Sequence, residues 1–223
     1  MDIFPGVPVT ISPREAIHDV AQQRVYEWRA AIARAALDAV ARFLQTYLAT
    51  SQARADYIQY ALGPGLPFRY ASVKTLVDSR ETKNIGPFQS AYILETLAYD
   101  FAVTGRTVEK SRDFPYSALT LSVVAVERAL QRWTTGEYIK PASSDKEAKK
   151  KDAFSQEARA ESTRSYLRAI ANLRETTWIQ IMQGAEDRAA ADAAHDMDDM
   201  GLLEDDGLQD ERAVVDESDD DEE

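Results

Sequence analysis

Between Pro115 and Gly136 the side chains Leu119, Val123, Val126, Leu130 and Trp133 recur at alternating intervals of four and three. Only an α-helix brings such a series onto one face, because a strand repeats every two residues. Proline at the opening has no N–H to lose, and glycine after the last turn supplies the stop. Leu121 and Val124 add a second apolar face, so this helix needs neighbours on more than one side. With ~1.5–3 kcal/mol available from each large apolar side chain fully buried, it is expected at the centre of the core.

The rest of the chain follows the same period. Ser12-Pro13-Arg14-Glu15 has the form of a capping box with proline at the first helical position. Behind it Ile17, Val25, Trp28, Ile32, Ala36, Val40, Phe43 and Tyr47, widened by Leu37, Leu44 and Leu48, predict a long helix to about Ala49. A shorter helix capped by Ser51 carries Tyr57, Ile58 and Leu62 and must end at Gly63-Pro64-Gly65. Leu66 to Tyr70 reads as extended, Ala71 to Ser79 as a short helix with Val73, Leu76 and Val77 inward, and Ser79 to Ile85 as a polar loop. Gly86-Pro87 marks the start of an aromatic-rich helix through Tyr92, Leu97 and Phe101 to about Gly105. A last long helix begins near Ser155, carries Tyr166, Leu167, Ile170, Leu173, Trp178 and Ile181, and is interrupted near Thr176-Thr177.

Period-two alternation is absent from every long apolar segment, and no unit of 20 to 50 residues repeats. The expected fold class is therefore all-α: a single helical-bundle-like domain of five to six helices followed by a disordered acidic tail. The boundaries are an N-terminal extended segment (1–12), a helical domain (13–185) with an exposed basic loop (139–153), and the tail (186–223).

Charge sharpens that division. The formal net charge is −12, yet it is not shared evenly. From Glu186 to Glu223, 18 acids face only Arg188 and Arg212, a net of −16. Residues 1–185 keep 24 basic and 20 acidic side chains, a net of +4. There are no cysteines, which removes disulfides, thiolate zinc sites and cysteine nucleophiles and fits a reducing compartment. No stretch approaches the ~20 apolar residues of a membrane span. The first residues lack a signal peptide's basic start and apolar run, so an intracellular location, nuclear or cytoplasmic, is expected.

The stretch from Phe114-Pro115-Tyr116 through Trp133-Thr134-Thr135-Gly136-Glu137-Tyr138 resembles a helical domain family of unknown function found in many copies in mushroom-forming (basidiomycete) fungi. The upstream aromatic helix, Phe154 and the Tyr166-Leu167 helix extend the likeness to roughly residues 55–185. The resemblance implies helical boundaries and no activity. The lysine-rich run before Phe154 departs from the family's pattern and leaves the alignment of the last helix open.

Chemistry is sparse. His18 and His195 have no sequence neighbours that complete a metal site or triad. Gly63-Pro64-Gly65 lacks the lysine and preceding strand of a phosphate loop. Asp38, Asp56, Asp78, Glu95, Asp100 and Glu127 are single acids, for which a solvated or ion-paired surface position is the ordinary reading; Glu95 and Asp100 are the two to test for burial. No catalytic, cofactor or metal residues are assigned, and no cofactor is expected. Lys146, Lys149, Lys150 and Lys151 form a basic patch that suits an import signal or phosphate contacts, against the plainer reading of a solvated linker. Met197, Met200, Leu202 and Leu203 lie among acids, the alternation of amphipathic interaction segments, against the plainer reading of a solubilising tail.

These residues point to a non-catalytic interaction domain that binds a protein or a nucleic acid through a helical face, with the acidic tail modulating or mediating the contact. A protein partner is favoured, a nucleic acid is open, and a membrane is not expected. The alternatives are an accessory protein of a mobile element or lineage-specific multi-copy family, and a carboxylate-based enzyme. Oligomeric state is not legible.

Overall fold

The computed structural model describes residues 16–75, 82–104, 114–140 and 156–200. Among them the architecture is helical with one small sheet, and the central helix is the one the four-and-three spacing picks out. Six α-helices lie in chain order: α1 (Ala16–Tyr47), α2 (Ser51–Ala61), α3 (Ala91–Thr104), α4 (Tyr116–Gln131), α5 (Gln156–Ala171) and α6 (Glu175–Met200). A 3-10 turn (Pro67–Arg69) leads into an antiparallel pair, β1 (Tyr70–Thr75) and β2 (Thr82–Pro87).

The α4 helix packs against α1, α3 and α5, and α1 also packs along α3. Leu119, Val123, Val126 and Leu130 are fully buried and Trp133 nearly so. Val124, Ala125 and Ala129 join them, while Leu121 is only partly covered. Two buried hydroxyls on this helix bond back one turn, Thr120 to the Tyr116 carbonyl at 2.7 Å and Ser122 to the Ala118 carbonyl at 2.9 Å, so neither is left unsatisfied. Past the helix end Gly136 sits at φ +79°, where a Cβ would run into the Ser51 carbonyl oxygen. Only glycine allows α2 and this turn to meet so closely. Arg54 of α2 fixes the same junction, donating to the Gly136 carbonyl at 2.8 Å and the Leu48 carbonyl at 3.0 Å.

In α1 the stripe is buried only from Ile32 onward: Ile32, Ala36, Ala39, Val40 and Leu44 are sealed in. Its first turns are not, and Ile17 and Val20 are each 60% exposed. The capping box at 12–15 lies outside the described residues. Thr50, not Ser51, caps α2, its hydroxyl accepting from the Ala53 N–H at 3.1 Å. The last helical region breaks at Asn172–Arg174, earlier than the Thr176-Thr177 pair, so it forms two helices. Trp178 of α6 stacks on Phe114 with ring centroids 5.1 Å apart, and Tyr116 meets it edge-on.

The helix α6 crosses position 186 without a break. Ala185 is fully buried and Ala189 packs on the core. From Ala190 the chain is a separate unit, of which the helical backbone to Met200 is described.

The largest departure from expectation lies between residues 70 and 87. The described part of the segment read as a short helix, Ala71 to Thr75, lies in strand β1, and the described part of the segment read as a polar loop, Thr82 to Ile85, lies in strand β2. The Gly86-Pro87 pair closes that strand instead of opening a helix, and α3 starts four residues later. The register pairs Tyr70 with Pro87, Ser72 with Ile85, Val73 with Asn84 and Lys74 with Lys83. Ala71, Ser72, Lys74, Lys83, Asn84 and Ile85 are all exposed, so both faces of the pair are wetted. Without a buried face a strand has no reason to alternate, and the period-two signal is missing for that reason.

Candidate interaction surface

Among the described residues the two strands pack chiefly on each other and on the 3-10 turn at their base. They form a short ribbon rooted in the helical body by a compact cluster. Phe68 and Phe88 are buried beneath it. The Arg69 guanidinium lies 5.6 Å from the centre of the Tyr70 ring, 6.0 Å from Phe88 and 5.9 Å from Tyr166 of α5. Such cation–π geometry pins a planar cation against aromatic faces. The same side chain donates to the Gly65 carbonyl at 2.9 Å. Leu66 and Phe88, the non-glycine residues at positive φ among those described, both belong to this root. Left-handed backbone at bulky residues costs ~1–2 kcal/mol each, and the burial of Phe88 against the Arg69 cluster offsets it. Tyr166 is itself buried and hydrogen-bonded to Glu127 of α4. Burial, and then the nearby Glu127 charge, push its hydroxyl pKa well up, so it stays neutral.

Above this root stand Lys74 and Lys83. They are cross-strand partners on one face of the ribbon, with Ser72 and Ile85 beside them on that face. Directly opposed like charges repel, with side chains starting ~4.5–5.5 Å apart. An anionic group placed between them removes that repulsion. The outer edge of each strand also carries backbone groups with no strand beside it among the described residues.

The acids singled out for catalysis do not converge. Asp100 of α3 is buried and accepts from the Trp28 indole N–H of α1 at 2.7 Å; desolvation raises its pKa against the lowering effect of that bond. Glu95, one helical turn and a residue earlier, pairs with Arg42 of α1 at 2.9 Å. Glu127 faces Tyr166, Asp56 is exposed and accepts from Gln52, and Asp38 is exposed. Asp78 lies outside the described residues. The Tyr57 and Tyr92 hydroxyls meet at 3.2 Å, and burial raises the pKa of both, which leaves neither a ready base. A surface cavity of about 360 Å³ is lined by Gln52, Ala55, Asp56, Ile58, Gln59, Leu62 and Thr134, and it contains neither Glu95 nor Asp100. Among the described residues no group of three metal-ligating side chains forms, and no helix is long and apolar enough to cross a membrane.

No family model, curated protein or solved structure matches the chain.

Of the sequence-derived binding candidates, Lys146, Lys149, Lys150, Lys151, Leu202 and Leu203 lie outside the described residues. Met197 and Met200 fall on the helical backbone of α6. The ribbon lysines were not among the candidates. The one available signal was the β-branched content of Val73, Thr75 and Val77 between polar residues, which competes poorly with a four-residue apolar spacing that also suits a helix.

Proposed function

We propose that this chain is a non-catalytic interaction domain that takes an acidic, extended segment of a protein partner along its β-ribbon. The observation that carries the reading is the Lys74–Lys83 pair on a ribbon that stands off from the helical body. A peptide added as a further strand supplies backbone partners to a free edge, the β-augmentation mode. Its acids at alternate positions then fall on the lysine face. A nucleic acid satisfies the lysines but not the strand edge. The acids of the tail carry the same sign as the partner, so their repulsion weakens binding at low salt and is screened as salt rises. Glu95, Asp100 and Glu127 support the non-catalytic part, since each is engaged by a different neighbour.

Titration of the intact chain with a labelled peptide of alternating glutamate and valine, followed by fluorescence anisotropy at low salt, tests this. Lys83→Glu is expected to weaken binding about five- to tenfold, and Lys74→Glu likewise. Equal affinity for wild type and both variants refutes the ribbon site. Tighter binding to a short DNA duplex than to the peptide, lost in the same variants, transfers the ribbon to a nucleic-acid partner.

An intracellular role, nuclear or cytoplasmic, and membership in the fungal helical family remain part of the proposal. Imaging of the tagged chain tests the first. An alignment of family members over Phe114 to Tyr138 tests the second. Genomic neighbours separate this reading from an accessory protein of a mobile element.

A further inference from the structure

The lysine-bearing face of the ribbon is not uniform along its length. Cross-strand partners share a face, so from root to tip this face carries Tyr70 and Pro87, then Ser72 and Ile85, then Lys74 and Lys83. The first pair is half-buried, whereas Ser72, Ile85 and both lysines are exposed. Among the described residues of the two strands the cations therefore stand only toward the tip. Arg69 at the root is already engaged, by the Gly65 carbonyl at 2.9 Å and by three aromatic rings. The strands also differ from each other. Along β2 the step from Lys83 toward the root meets exposed Ile85, while along β1 the step from Lys74 meets the hydroxyl of Ser72.

We infer that the ribbon takes its partner along the β2 edge and reads two side chains of it: an acid abreast of Lys83 and, two residues away, an aromatic or large aliphatic side chain abreast of Ile85. This rests on the reading of the ribbon as a site for an acidic extended segment, and it narrows which segment fits. In a strand added beside β2, residues two apart lie on one face about 7 Å from each other, the spacing of Lys83 and Ile85. Each then has a direct lateral neighbour. Charge meets charge at the tip, and a ring meets a β-branched side chain below it, both of them pairings that stabilise adjacent strands. A second acid at the lower position would instead lie against Ile85, partly desolvated and with no cation abreast. Pro87 has no N–H to donate, so pairing along this edge runs no further toward the root than Gly86. Within Thr82–Gly86 the residues on the lysine face are Lys83 and Ile85, which limits the reading to two side chains. A strand added beside β1 meets Ser72 and lies ~10 Å from Ile85, two strand spacings away.

Three labelled peptides of equal length, titrated with the full chain and followed by fluorescence anisotropy, test this. Each alternates with threonine and has glutamate at the centre; two residues to either side of it stand phenylalanine, serine or glutamate, so either strand direction offers the same pair. The phenylalanine peptide is expected to bind the wild-type chain about two- to fivefold tighter than the serine peptide of equal charge. Ile85→Thr should abolish that ratio while the serine peptide binds as before. Ile85→Lys supplies a second cation and should make the all-glutamate peptide the tightest of the three. Equal binding of the phenylalanine and serine peptides by the wild-type chain, or a ratio that survives in Ile85→Thr, overturns the inference. Lys83→Glu separates it from the reading beneath, because it should weaken both peptides alike and leave their ratio. When Lys83→Glu weakens both but Ile85→Thr changes nothing, the ribbon remains the site and the inference alone falls. When Lys83→Glu leaves both affinities unchanged, the ribbon is not the site and the two fall together.

Discussion

The α4 helix and the β-ribbon are nearly equal in length, and they relate to the rest of the molecule in opposite ways. Ten residues of α4 are buried, and its neighbours α1, α3 and α5 fix its orientation on several sides. The ribbon is wetted on both faces and held at one end, by Phe68, Phe88 and the Arg69 cluster. Packing dictates which residue stands at each position of α4. In the ribbon packing dictates little beyond the root, which leaves Lys74 and Lys83 free to serve a partner. The difference teaches where to look for function in a chain of this kind: at the element whose sequence the core does not explain.

The largest break in this comparison comes from core deletion. Leu119→Ala in α4 is expected to cost about 3–5 kcal/mol, whereas Ile85→Ala on the ribbon stays within about 0.5 kcal/mol. Denaturant titration of the two variants measures both. Comparable losses mean that the ribbon is packed after all.

Gly136 comes next. An alanine there meets the Ser51 carbonyl and must hold a positive φ, so Gly136→Ala is expected to lose about 2–4 kcal/mol. Thermal melting checks it, with Gly65→Ala as control. Gly65 has a similar φ but open space around it, and its substitution should cost less.

Asp100 gives a pH-dependent effect within the helical body. Its pKa is raised in the fold, so the native state holds the proton more tightly than the unfolded chain does. Stability therefore falls as pH rises from the ordinary carboxylate value through the folded one. Asp100→Asn keeps an acceptor for the Trp28 N–H and removes that fall. The variant is expected to be the more stable protein at neutral pH, with the gap closing as the solution becomes acidic. Unfolding midpoints across pH 3 to 7 report it, and a gap that widens in acid reverses the sign of the argument.

The smallest effect on stability is the sharpest for the comparison. Lys83→Glu replaces a like-charge cross-strand pair by an opposite one and should stabilise the ribbon by ~0.2–1 kcal/mol, while it weakens the acidic partner. A substitution that strengthens the fold and harms binding identifies a residue kept for function.

Much of this was legible in the sequence, and the legible part divides along the same line. Leu119 to Trp133 announced α4 because every member of the series is buried, and Gly136 announced its end. The stripe of α1 named Ile32, Ala36 and Val40 correctly but also Ile17 and Val25, because spacing reports a face and not whether anything covers it. The ribbon leaves no period-two signal in the sequence, because strands wetted on both sides do not alternate. The α5–α6 break falls at Asn172–Arg174 and not at Thr176-Thr177, since β-branched residues are tolerated in a first helical turn. The binding candidates chosen from charge runs, Lys146 to Lys151 and the tail, sit outside the described residues. The pair that the fold brings together, Lys74 and Lys83, is nine residues apart and becomes a pair only through register.

Amide hydrogen exchange of the intact chain, with and without the acidic strand peptide, addresses the central claim most directly. Added peptide should slow exchange along one edge of Tyr70–Thr75 or Thr82–Pro87 and leave Tyr116–Gln131 unchanged, with no such protection in Lys83→Glu. Protection confined to the helices, with the two strands exchanging as before, would contradict it.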